Sequence, residues 1–139
     1  MFVQNNFRAL WLNHGLAMAG MALLGGSTLL FQHNLLSPLI WMISSGIGLF
    51  LPYILFNGVL FDRLMASFRE RGNAGFLMYV ADSIGYLGSV AVLLWRNFGA
   101  GEMSWLNFYI KLCYLGGFAC FGLMLLSWRY FFKKQPIAQ

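Results

Sequence analysis

Residues 9–61 contain no Asp, Glu, Lys or Arg. A helix needs roughly 20 apolar residues to cross the hydrocarbon core, so this stretch is long enough for two crossings. The polar segment QHNLLSP divides it. Two further apolar runs follow, the third span holding one acid, Asp82, and the fourth one base, Lys111. Composition agrees: 60% of residues are hydrophobic and 9% charged, where a soluble domain carries about a quarter charged. A water-soluble globule is excluded. The expected fold is an all-α integral membrane protein, a single transmembrane domain over residues 1–139 with spans at 9–31, 39–61, 74–95 and 106–128. Short connections between spans predict antiparallel neighbours in a four-helix bundle.

Orientation follows from the retention of Lys and Arg on the cytoplasmic side. Arg8, Arg63, Arg69, Arg71, Arg129, Lys133 and Lys134 would share one face, leaving Arg96 in the opposite loops and Lys111 inside a span. Both termini are therefore expected in the cytoplasm, and the bias argues against a dual-topology dimer. Trp11, Trp41, Trp95, Trp105 and Trp128 all fall at span ends, where tryptophan favours the headgroup level. The net charge of +5 is thus topological. Scattered over loops, it forms no stripe for nucleic acid.

The single arginine ahead of the first apolar run has no small-residue cleavage site after that run, so the first span is expected to be retained. Cys113 and Cys120 lie two turns apart on one helix and make no disulfide framework. Residues 62–73 form a basic cytoplasmic connection. With Leu64, Met65 and Phe68 on one helical face, it can lie along the interface as a short amphipathic helix closed by Gly72-Asn73 as a left-handed cap, or serve only as a charged anchor.

Asp82 is the sharpest chemical signal. A carboxyl near the middle of a span costs at least about 2.5 kcal/mol to insert and must face protein or water. At helical spacing it shares a stripe with Tyr79 and Tyr86, two phenols that can hydrogen-bond it, while Ala81, Gly85 and Ser89 form a small-residue row for a neighbouring helix. The acid is either a proton or cation coupling site or a structural polar clamp. His14 lies at a similar depth in the first span, which makes a His–Asp pair feasible, though packing is its commoner role. Lys111 is expected to snorkel to the outer interface. In the second span Gly46, Gly48 and Pro52 weaken the helix and suggest a hinge. Asn57, beyond them, could satisfy a freed carbonyl or face the cytoplasmic vestibule.

Several catalytic classes lack the residues they need. Only one histidine is intramembrane, so no bis-histidine haem site exists. There is no zinc-binding histidine helix, no nucleophile elbow and no phosphate loop with a lysine. No cofactor or metal is expected, and the chain reads as a non-enzyme.

The stretch Gly58-Val-Leu-Phe-Asp62-Arg63 resembles the start of the loop signature of major facilitator transporters, although Met65 stands where that pattern has a second glycine. Over residues 40–98, the run FDRLMASFRERGNAGFLMYVADSIGYLGSVAVLLWRNF is similar to the C-terminal part of an uncharacterised bacterial family of major-facilitator-like membrane proteins. The resemblance implies a relative of about twelve spans, this chain supplying the last four, and the basic WRYFFKK before a polar end looks like a chain terminus. It names no substrate.

Two functions from different classes follow. One is a transporter module of the bacterial inner membrane, acting on a small-molecule substrate with proton or cation coupling through Asp82, and completed by further spans or self-association. The other is a small membrane interaction protein, whose small-residue rows dock a partner and whose polar groups only specify packing.

Overall fold

The computed structural model describes residues 6–68, 72–99 and 101–133. Their regular structure is entirely helical: α1 (Asn6–Gln32), α2 (Pro38–Leu55), a π-helical turn (Phe56–Leu60), α3 (Phe61–Phe68), α4 (Ala74–Leu94), a second π-helical turn (Trp95–Gly99) and α5 (Trp105–Lys133). Four stretches are long and apolar enough to cross a membrane: Arg8–Gln32, Pro38–Ala66, Ala74–Gly99 and Trp105–Lys133. These are the four expected spans. The second to fourth run several residues past their expected C-terminal limits, because nothing in the flanking sequence breaks the helix where hydrophobicity ends.

The turn between α1 and α2 is built by capping chemistry. Asn34 adopts φ 57°, a left-handed conformation that asparagine tolerates better than most residues. The Leu35 N–H then reaches the Leu30 carbonyl at 2.9 Å and the Asn34 N–H the Phe31 carbonyl at 3.0 Å. This pair of bonds closes a helix C-terminus as a Schellman motif. Three residues later Ser37 caps α2, its side chain accepting from the Ile40 N–H, with proline at the first helical position where its missing N–H removes no bond. The chain reverses within five residues, and α1 and α2 become antiparallel neighbours.

Residues 62–73 depart from expectation. α3 is not a separate interfacial helix but continues the second span through the π turn. Asn73 is not a left-handed cap either. It is extended at φ −107° and caps the start of α4 by accepting from the Gly75 N–H. A side-chain oxygen can satisfy an orphaned first-turn N–H from an extended backbone, so the polar Gly-Asn pair opens the next helix instead of closing the last. Arg69, Arg71 and Lys134, used in the charge reading, lie outside the described residues.

α1 is the centre of the packing, with α2 on one face and α5 on another. Against α2 the approach is backbone to backbone: a Cβ added to Gly48 would lie 2.8 Å from the Gly20 carbonyl oxygen, and one added to Gly20 would lie 3.0 Å from Cδ of Pro52. Against α5 the approach is looser, a Cβ on Gly117 meeting the Gly25 backbone at 3.5 Å. Such glycine contacts are how helices associate in lipid, where burial of apolar surface supplies no drive and close van der Waals packing must. Met21, Leu24 and Cys113 form the buried apolar core beside Tyr109 and Phe121.

α4 stands apart. None of its residues is buried, and its links to the rest are few. Arg96 donates to the Met103 carbonyl and lies 4.5 Å from the Trp105 ring centroid, while Trp95 meets Phe108 at 5.8 Å. The structure is thus a three-helix bundle of α1, α2 and α5 with α4 alongside. Short loops make helices adjacent, but only complementary faces make them pack, and lipid competes equally for an apolar face.

Candidate functional site

Two polar centres hold the candidate acid and the candidate histidine. The first joins the second span to α4. One turn past Pro52 the helix widens into the π turn, a local distortion found often at functional sites. Asn57 sits in that turn, and its Nδ2 donates to Oδ1 of Asp82 at 3.4 Å. The bond is long, at the weak end of hydrogen-bond geometry. Asp82 lies eight residues into α4, about 12 Å along the helix, and is half-buried. Among the described residues this is the one donor to Asp82, which leaves most of the carboxylate's accepting capacity available.

Tyr79 and Tyr86 flank Asp82 in sequence but are 76% and 73% exposed, and neither hydrogen-bonds it among the described residues. The Ala81, Gly85 and Ser89 row is exposed as well, with nothing within 4 Å of a Cβ on Gly85. Of the sequence-derived site residues, Asp82 and Asn57 are brought together, while the two phenols face away from the bundle.

The second centre holds His14, which the fold directs to α5 rather than to Asp82. The side chain is 2% exposed. Its Nδ1 lies 2.9 Å from the Leu10 carbonyl, which can only accept, so Nδ1 carries the proton. Nε2 then accepts from the Ser127 hydroxyl at 3.0 Å. Trp128 and Phe131 close around the ring edge-on, at 6.4 and 5.9 Å between centroids. A neutral imidazole is fully satisfied here. His14 and Asp82 are not brought together: His14 bonds to α5 and Asp82 to the second span.

A polar girdle ties the three packed helices at their other end. Trp41 stacks on Phe31 at 4.0 Å with 4° between planes and donates from Nε1 to Thr28 Oγ1 at 3.1 Å. Ser45 lies 3.2 Å from the Tyr109 hydroxyl, and Tyr109 meets Trp41 at 5.5 Å. Trp41 is therefore a buried packing residue, although its position near a span end reads as an interfacial anchor. Thr28, Tyr109 and Ser127 carry no sequence signal of their own, since their partners are far along the chain.

The remaining candidates are dispersed. Gly48 and Pro52, read from sequence as part of a hinge, form the tight crossing with Gly20, while Gly46 has open space around it. Gly58 and Asp62 are exposed and Arg63 is half-buried where the π turn passes into α3. Among the described residues no three His, Cys, Asp or Glu side chains gather as metal ligands.

Residues 1–134 match the family of unknown function DUF5690, and the chain belongs to that family. No curated protein and no solved structure matches it.

Proposed function

We propose that this chain is a membrane transporter module, resembling the C-terminal part of a major facilitator-type transporter, in which Asp82 contacts a proton or a cationic substrate group. The observation that carries the reading is the Asn57–Asp82 contact, a carboxyl on one span met by an amide on a π turn of another. An acid at this depth must be sheltered or hydrated, and its one weak partner among the described residues leaves it able to bind something else. In this reading the module lies in the bacterial inner membrane with both termini in the cytoplasm, needs no cofactor and catalyses no covalent step. Four spans are fewer than the two rocking halves of such transporters, so further spans or self-association complete it. The test is uptake of labelled cationic compounds into proteoliposomes under an imposed proton gradient. Asp82→Asn, which keeps the amide contact geometry, abolishes gradient-dependent uptake without affecting membrane insertion. Uptake at the unaltered rate in that variant removes Asp82 from the mechanism.

A second reading, a membrane interaction protein without transport, is favoured by the unburied surface of α4 and the open space at Gly85 and Gly88. In that case Gly85→Leu prevents co-purification of a partner from solubilised membranes and Asp82→Asn leaves the complex intact.

A further inference from the structure

Between α1 and α5 lies an apolar cleft of about 310 Å³, lined by residues that include Gly25, Gly26, Leu29, Tyr114, Gly117 and Phe121. It exists because glycines face it from both helices: the backbones meet at Gly117 and Gly25, yet nothing lies within 4 Å of a Cβ on Gly26. Along α1 it reaches from Leu29 to Met21, eight residues or about 12 Å at 1.5 Å per residue. That is most of one leaflet's share, about 15 Å, of the hydrocarbon thickness. Volume over length gives a slender cleft of about 26 Å² in section. The cleft fits a hydrocarbon chain lying parallel to the helices.

Its mouth has the opposite character. Tyr114 stacks on Phe118 at 6.1 Å, and its hydroxyl donates to Gln32 Oε1 at 2.7 Å. The rim is thereby pinned, and the Gln32 amide N–H₂ remains as a donor. One turn further towards the start of α5 is Lys111, exposed. An ammonium and an amide donor at the end of an apolar slot, at the helix end where α1 stops, complement a phosphate with an acyl chain attached.

We propose that this cleft is a binding site for one anionic phospholipid of the leaflet at the Gln32 end, with an acyl chain between α1 and α5 and its phosphate held by Lys111 and Gln32. The occupancy is specific rather than solvation by bulk lipid, because it needs both the missing side chain at Gly26 and the cation at the mouth.

The test is native mass spectrometry of the detergent-purified full chain with phosphatidylglycerol, phosphatidylcholine or inorganic phosphate. One phosphatidylglycerol is retained about tenfold better than phosphatidylcholine, and phosphate alone does not bind. Lys111→Gln brings phosphatidylglycerol down to the phosphatidylcholine level, and Gly26→Leu lowers retention of both. Protection of the buried Cys113 thiol reports whether each variant is folded, and Ala22→Phe fills the same cleft if Gly26→Leu is not. Unchanged retention in a folded cleft-filled variant overturns the proposal. So does equal retention of the two lipids by the unaltered protein, or phosphate binding that is independent of the chain.

Discussion

The crossing of α1 and α2 makes Gly48 the position where the smallest possible addition should have a large effect. The methyl of Gly48→Ala would sit 2.8 Å from the Gly20 carbonyl oxygen and 3.0 Å from both Cβ and the backbone N of Leu24. Carbon contacts settle at about 3.5–4.0 Å, and backbone atoms cannot rotate away, so the helices must part by roughly 0.5–1 Å. A gap of that size forfeits a quarter to a half of the attraction across the interface, and overpacking of a close-packed site typically costs about 1–3 kcal/mol. Alanine also gains up to about 1 kcal/mol over glycine in helix propensity. That gain is cancelled by comparison with Gly46→Ala on the same helix, where nothing lies within 4 Å of the new methyl.

The readout is the thiol of Cys113, which is 2% exposed and packs with Leu24 and Met21, in a Cys120→Ser background because Cys120 is exposed. When opening and closing are fast, labelling follows the open population. A difference of about 1–3 kcal/mol, at 1.4 kcal/mol per tenfold, makes Cys113 label about 5- to 140-fold faster in Gly48→Ala than in Gly46→Ala. Equal rates in the two variants would refute the argument that this backbone contact holds the bundle.

Two further predictions concern the buried polar contacts. Ser127→Ala removes the hydroxyl from His14 Nε2 and should destabilise by about 0.6 kcal/mol, the usual size for a bond between spans; His14→Ala also opens a cavity and should cost about 2–4 kcal/mol. A double-mutant cycle on thermal unfolding in detergent that gives no coupling between them would show the bond to be absent. Trp41→Phe keeps the stack on Phe31 and loses only the donation to Thr28, so it should shift stability by less than about 1.7 kcal/mol, whereas Trp41→Ala should cost about 3–5 kcal/mol.

The number of spans was legible because it depends on a local property. A charge-free run either is or is not long enough to cross hydrocarbon, and residues 9–61 are long enough for two crossings without reference to anything else. The turn at Asn34 and the proline after Ser37 were visible as a polar break for the same reason. The site was legible only by half. Asp82 announced itself through the cost of a carboxyl in a span, and Asn57 was named as a polar residue near a weakened helix. That the two meet, and that Tyr79 and Tyr86 do not join them, depends on which face of α4 turns to the second span.

What the sequence determined by itself was therefore the hydropathy of each segment: four runs long and apolar enough to cross a membrane, polar turns between them, and one acid within the third run. Which helices pack was decided by the tertiary structure. In a bilayer, lipid and protein offer apolar faces nearly equal contact, so hydropathy carries no information about neighbours. The choice rests on shape and hydrogen bonds between distant residues: Gly20 against Gly48, Thr28 with Trp41, His14 with Ser127. α4, rich in small residues but with none of its residues buried, lies beside the bundle, joined to the second span by the long Asn57–Asp82 bond.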